Sequence, residues 1–124
     1  MNLFEKYGGF STLHKVVSAF YDKILEEEKL RLFFDDVNMA ALVDHQTQFI
    51  ASVMGGPVSF DDERLLMAHK GLGLGEQEWA AVVDILIVTL ETFEIEGRDI
   101  ETIVKVLATK KPLIIGDEDP GAKV

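Results

Sequence analysis

Apolar residues recur every three or four positions through four separate segments of the chain, which is the period of an amphipathic α-helix. No segment alternates apolar and polar residues as a half-buried β-strand does. The pattern predicts an all-α fold. The runs are Leu13, Val16, Val17, Phe20, Ile24 and Leu25; Leu42, Phe49, Ile50 and Val53; Trp79, Val82, Val83, Leu86, Ile87, Leu90 and Phe93; and Ile100, Ile103, Val104 and Leu107.

Capping and turn-forming residues separate these runs and predict where each helix begins or ends. Residues 1–115 are expected to form one domain, and the acidic residues 116–124 a flexible tail. The predicted boundaries are Ser11 as the cap of the first long helix, Met39 to Met54 as the second, Asp61 to Gly71 as a short helix, Asp99 near the start of the last, and Pro112 as the residue that ends or bends it.

The charge and the absence of cysteine exclude several classes of function. The 124 residues carry a net charge of −10, which argues against a nucleic-acid or anionic-membrane surface. Without cysteine there is no disulfide, thiolate metal site or cysteine nucleophile. The amino terminus does not read as a signal peptide, and no apolar stretch approaches the ~18 residues of a membrane span. We expect a monomeric, cytoplasmic protein.

A glycine-rich stretch, residues 71–75, directly follows His69 and has two possible roles. A dinucleotide loop needs glycines in the order G-x-G-x-x-G between a strand and a helix. Here the third glycine comes one residue early, and the preceding segment has a helical pattern. Glu76 and Glu78 would also repel a phosphate. We therefore interpret the glycines as the end of a helix that presents His69.

Three polar side chains are predicted to face the apolar interior, namely Tyr21, Gln46 and His69, and His45 lies at the edge of the same stripe. Each alone is as readily an ordinary, hydrogen-bonded buried residue. Together they favour an apolar pocket in which polar side chains bind a ligand or cofactor. A protoporphyrin fits such a pocket, because its iron needs an axial imidazole and a bound gas needs hydrogen-bond donors. The chain has no H-E-x-x-H, E-x-x-H or G-x-S-x-G sequence to indicate another metal site or a serine nucleophile.

A set of short motifs, in order and at consistent spacing from Asn2 to Pro112, resembles the first (N-type) group of the truncated hemoglobins, including cyanobacterial members. Any one motif is weak, but the ordered set and its paired glycines are distinctive. The matching pieces are Tyr7-Gly8-Gly9, Phe20-Tyr21, Phe33-Phe34, Asn38-Met39, His45-Gln46, Gly55-Gly56-Pro57 and His69 within residues 68–74.

The resemblance implies a shortened globin in which two antiparallel helix pairs enclose a non-covalent heme b. It implies that His69 binds the iron, that Tyr21 and Gln46 hydrogen-bond bound oxygen, and that Phe34 stacks at the heme edge. The last helix lacks the histidine that bonds a heme vinyl in some relatives. The remaining residues expected around the heme are Leu42, Phe49 and Ile50 on the distal side, and Leu65, Leu74, Trp79 and Leu107 around the macrocycle.

His45 has two possible roles under this resemblance. In some cyanobacterial relatives the histidine before the distal glutamine binds iron when no gas is present, so His45 and His69 would both be metal ligands. Alternatively, His45 pairs with a heme propionate. The implied function is reversible binding of O2, NO and CO. The alternatives are a nitric oxide dioxygenase or other heme redox enzyme with a reductase partner, and a heme-free helical interaction module.

Overall fold

The computed structural model describes residues 2–58, 63 and 74–115, apart from the side chain of Leu113, and within these ranges every regular element is helical. The all-α prediction is therefore confirmed. In chain order the elements are α1 (Leu3–Lys6), α2 (Gly9–Glu26), α3 (Glu28–Arg31), a 3-10 turn (Leu32–Phe34), α4 (Met39–Val53), α5 (Glu76–Thr92), α6 (Gly97–Ala108) and α7 (Lys111–Ile114).

Helix α2 begins three residues earlier than the sequence predicted. Gly8 is its N-cap, with a φ of 102° that favours glycine, so Ser11 lies inside the helix and does not cap it. The predicted apolar stripe is correct, because Leu13, Val16, Val17 and Ile24 are buried. Tyr21, which the sequence predicted to face the interior, is also buried. Four of the six predicted stripe residues are therefore buried, whereas Phe20 and Leu25 are half-buried.

Helix α4 has the boundaries that its sequence predicts, within one residue. The Asn38 side chain accepts a hydrogen bond from the Ala41 backbone N–H at 3.2 Å, which caps the first turn. After Val53 the chain turns through Gly55 and Gly56. A Cβ on Gly56 would lie 2.7 Å from the Phe4 ring, so only glycine lets α1 approach the end of α4 this closely.

Helix α6 differs from its predicted boundaries at both ends. Helix α6 begins at Gly97, and Asp99 lies buried in its first turn. It ends at Ala108, before Pro112, which instead lies in the first turn of α7, where its missing N–H costs no hydrogen bond. The predicted helix from Asp61 to Gly71 and the predicted tail of residues 116–124 lie outside the described residues, apart from Glu63.

The long helices form two antiparallel pairs, α2 with α4 and α5 with α6, and α2 also packs against α5. The side chains least exposed to solvent come from both pairs and form one continuous core. None of the helices that the structure describes is long and apolar enough to cross a membrane. The most deeply buried large side chains are Leu13, Val16, Ile24, Met54, Leu90 and Ile103.

A polar cluster attaches the N-terminal helix to the start of α6. The Tyr7 hydroxyl donates to Asp99 Oδ2 at 2.5 Å, and Lys6 Nζ lies 2.7 Å from the same oxygen. The Glu96 backbone N–H donates to the Tyr7 hydroxyl at 3.1 Å. The ammonium of Lys6, followed by the Tyr7 hydroxyl, lowers the pKa of Asp99 below its usual value. This cluster gives the buried Asp99 carboxylate both a charge partner and hydrogen bonds.

Candidate functional site

A cavity of about 660 Å³ lies between the two helix pairs. This volume is within the range of roughly 300–1,000 Å³ that is typical of small-molecule and cofactor sites. Its lining is mostly apolar, and its polar side chains are Tyr21, His45, Gln46 and Glu78. The apolar lining consists of Val16, Val17, Phe20, Ile24, Leu30, Phe33, Phe34, Val37, Leu42, Phe49, Ile50, Leu74, Trp79, Val82, Val83, Leu86, Leu107, Ile114 and Ile115.

Every described residue that the sequence assigned to the heme pocket lines this cavity. Tyr21 comes from α2, and most of the others come from α4 and α5. Leu65 and His69 lie outside the described residues, so their assigned roles remain predictions. The assigned residues in the lining are Tyr21, Phe34, Leu42, His45, Gln46, Phe49, Ile50, Leu74, Trp79 and Leu107.

Tyr21 and Gln46 form the polar part of the wall that α2 and α4 share. Burial raises the pKa of Tyr21 to about 12, and a hydrogen bond with Gln46 acts in the opposite direction. The phenol and the Gln46 amide therefore interact within the cavity lining. At neutral pH the group is a phenol and therefore a donor.

The ring of Tyr21 is fixed by two aromatic neighbours. Its centroid lies 4.9 Å from that of Phe20 and 5.8 Å from that of Phe34, and both contacts are edge-to-face. Phe34 belongs to the 3-10 turn and Phe20 to α2. These contacts limit rotation of the ring, so the hydroxyl is aimed by packing as well as by its hydrogen bond to Gln46.

His45 and Gln46 are neighbours on α4 but differ in exposure. Gln46 is half-buried, whereas His45 is exposed and yet contributes to the cavity lining. The imidazole therefore lies at the rim of the cavity, where the sequence placed it at the edge of the apolar stripe. A side chain at this position can reach both the cavity and the solvent.

Sequence reasoning missed a second group of lining residues. Val16, Val17 and Phe20 belong to the predicted stripe of α2, but periodicity cannot separate a residue facing a cavity from one packed in a core. Ile114 and Ile115 had no periodic signal, because α7 is only four residues long. Glu78 was read only as a charge that repels phosphate; in the fold it lines the cavity and accepts the Gly75 backbone N–H at 2.8 Å.

The cavity suits a heme. Its walls are apolar, as a macrocycle requires, and its few polar groups include two hydrogen-bond donors on one side. Residues from both helix pairs contribute, so a group placed here would lie between them. None of the chain's three histidines belongs to α6, and the described residues place His14 on α2. The lining residues of the cavity therefore fit a heme that is held without a bond to the last long helix.

Comparisons with known proteins agree with this geometry. The bacterial-like globin family profile matches residues 2–114. A group 1 truncated hemoglobin of Tetrahymena thermophila is 30% identical over 85% of this chain and 87% of its own length. The group 1 truncated hemoglobin GlbN of Synechocystis is 34% identical over 72% of this chain and 75% of its own.

Solved structures show the same architecture. The truncated hemoglobin of Tetrahymena pyriformis in its Fe(III) form is 27% identical and superposes with a TM-score of 0.86, covering 94% of this chain and all of that one. The 2/2 hemoglobin of a Synechococcus species, in the cyanomet state with covalently attached heme, is 26% identical with a TM-score of 0.84, covering 93% and 98%. As a member of this family, the protein binds heme b without a covalent bond and, through it, diatomic ligands. The chain thus belongs to the bacterial-like globin family and, within it, to the group 1 truncated hemoglobins.

Proposed function

We propose that the protein binds oxygen reversibly: His69 would hold the heme iron, and Tyr21 and Gln46 would donate hydrogen bonds to the gas. Heme supplies the iron to which a diatomic ligand binds. The observation that carries the proposal is the buried phenol of Tyr21, which lines the cavity together with the amide of Gln46. Both groups carry protons that can be donated to a ligand in the cavity.

The same two residues also favour oxygen over carbon monoxide as the bound ligand. The phenol and the amide stabilise an oxygen ligand that carries partial negative charge, because their hydrogen bonds are then charge-assisted. Carbon monoxide carries less charge and gains less from the same donors. The apolar side chains around them, such as Phe49 and Ile50, exclude water that would compete for the donors.

The test of this function is reconstitution of the purified protein with hemin. We expect one hemin per chain, a Soret band, and distinct visible spectra for the ferric, ferrous and carbonmonoxy forms. His69→Ala is expected to lose the axial ligand and to bind hemin weakly, whereas His14→Ala, on the exposed part of α2, is expected to bind it normally. Equal spectra for wild type and His69→Ala would exclude His69 as the ligand.

His45 is proposed as a sixth ligand that binds the iron when no gas is present. The supporting observation is its position at the rim, one residue before Gln46, from which the imidazole can reach the cavity. The competing role is a hydrogen bond to a propionate. The ferrous, ligand-free visible spectrum distinguishes the two, because six-coordination gives a low-spin spectrum that His45→Ala should convert to high-spin. A high-spin wild-type spectrum would exclude this ligation.

The enzymatic alternative uses the same residues and is separated by kinetics. A nitric oxide dioxygenase would convert its oxygenated form to the ferric form within the mixing time when nitric oxide is added, with nitrate as the product. Turnover would also need a reductase, whose docking face we expect to be basic because this chain carries a net charge of −10. The cytoplasmic location and the monomeric state remain predictions.

A further inference from the structure

Lys111, at the start of α7, contacts two residues in the first turns of α5. Its Nζ lies 2.7 Å from Glu76 Oε1 and 5.8 Å from the centroid of the Trp79 ring. The side chain of Lys111 is 31% exposed, whereas that of Glu76 is 70% exposed. One ammonium group therefore makes an ion pair on its solvent side and a cation–π contact with Trp79.

Both elements joined by Lys111 contribute walls to the cavity. Trp79 lines it from α5, Ile114 lines it from α7, and Ile115 lines it from the position directly after α7. Ile114 follows Lys111 by three residues, so the two lie on neighbouring positions of one helical turn. A four-residue helix has no stability of its own, and its position depends on tertiary contacts. The ion pair and the cation–π contact of Lys111 are tertiary contacts that hold α7 in position.

We propose that Lys111 is a positioning residue for the cofactor: it fixes the Trp79 ring and the α7 wall against each other and thereby slows the loss of heme. This inference rests on heme binding, but it concerns a residue that contacts the cavity wall and not the ligand side. Removing the ammonium takes away the ion pair and the cation–π contact that join α7 to α5, so the cavity wall is held less firmly. The rate of heme loss then rises while the affinity for gases stays the same.

The expected size of the effect is moderate. A solvent-exposed ion pair alone contributes little, because water and salt screen it. The contact with the aromatic ring adds to it and is less sensitive to salt, since one side of the ammonium is shielded. We expect heme loss to be roughly three- to tenfold faster without the ammonium group.

The single tryptophan provides a direct measurement. Trp79 lies in the cavity wall, so bound heme quenches its fluorescence, and the fluorescence returns as heme is transferred to an excess of a heme-scavenging apoglobin whose own tryptophans have been replaced. The holoprotein would be compared with Lys111→Met, which keeps the aliphatic stem, with Lys111→Arg, which keeps the charge, and with Glu76→Gln. Lys105→Met, on the exposed face of α6, is the matched control for loss of one lysine charge.

The proposal predicts a specific order of rates. Lys111→Met should lose heme fastest, Glu76→Gln should be intermediate, and Lys111→Arg and Lys105→Met should match the wild type. High salt should move the wild-type rate toward that of Lys111→Met. Equal rates for wild type and Lys111→Met would overturn the proposal, as would equally fast loss from Lys111→Arg, because the charge would then be irrelevant. A wild-type protein that takes up no hemin would instead refute heme binding itself.

Discussion

Replacement of Tyr21 by phenylalanine is the most direct test of whether the cavity stabilises bound oxygen by a hydrogen bond. The substitution removes one oxygen atom and leaves the ring, so the edge-to-face contacts with Phe20 and Phe34 are retained. It also removes the interaction between the hydroxyl and the Gln46 side chain. Gln46 is only half-buried, so its amide can turn toward the ligand or toward water.

The expected magnitude follows from the kind of hydrogen bond that is lost. A hydrogen bond to an acceptor carrying charge contributes about 1.5–3 kcal/mol, and each ~1.4 kcal/mol corresponds to a factor of ten. Tyr21→Phe should therefore release oxygen roughly ten- to a hundredfold faster. The lower end applies if the amide of Gln46 turns and replaces the phenol. Dissociation of carbon monoxide should change much less, because that ligand accepts a weaker hydrogen bond.

The assay is stopped-flow displacement of oxygen from the ferrous protein by excess carbon monoxide, followed in the visible spectrum. The chain has only one other tyrosine, which makes Tyr7→Phe a matched control. Tyr7 binds Asp99 and does not line the cavity, so its variant should lose stability but keep the wild-type rate of oxygen release.

An oxygen dissociation rate within twofold of wild type for Tyr21→Phe would refute the assignment of the phenol as a donor. Equal acceleration of oxygen and carbon monoxide release would also refute it, because that result indicates a change in the shape of the cavity. Acceleration in Tyr7→Phe as large as in Tyr21→Phe would show that loss of stability, and not the hydrogen bond, controls the rate.

Two further predictions concern stability. The ammonium of Lys6 and then the hydroxyl of Tyr7 lower the pKa of Asp99 in the folded state, so the ionised carboxylate stabilises the fold fully above its usual pKa of 3.8 and loses this effect as the pH falls through the lower folded value. Urea unfolding midpoints measured between about pH 2 and pH 7 should therefore differ between wild type and Asp99→Asn at neutral pH and converge only at the acid end. Glu94, between α5 and α6, has a φ of 64°, a backbone conformation that glycine adopts without strain. Glu94→Gly should therefore raise the free energy of unfolding by about 0.5–1 kcal/mol. A decrease would contradict the strain inferred from this backbone angle.

The fold could be predicted from the sequence because helical periodicity reports directly on burial. The runs on α2, α4, α5 and α6 gave the class and number of the long helices, and the boundaries of α4 were correct within one residue. The start of α2 was wrong because Gly8 at a positive φ caps it, and a serine three residues later has the same local signature as a cap. Such a choice depends on the packing of α1, which periodicity does not report.

The site could be predicted only in part, and the limits have a physical cause. Inward polar residues such as Tyr21 and Gln46 are conspicuous in an apolar stripe, because a buried polar group needs a partner. Apolar lining residues such as Val82 and Ile114 give no such signal, since an apolar side chain serves a core and a cavity wall equally well. The contact of Lys111 with Trp79 joins positions 32 residues apart and depends on where α7 lies.

The two proposed ligand donors and the contact proposed to retain the cofactor lie on different helices, which separates ligand chemistry from cofactor retention. Tyr21 and Gln46 belong to α2 and α4, whereas Trp79 and the contact with Lys111 belong to α5 and α7. The two sets share no hydrogen bond or ion pair among the described residues. Substitutions at separate sites with no common partner are additive. The double variant Tyr21→Phe with Lys111→Met should therefore release oxygen at the rate of the first substitution and lose heme at the rate of the second. Coupling between the two rates would mean that the phenol also holds the cofactor in place.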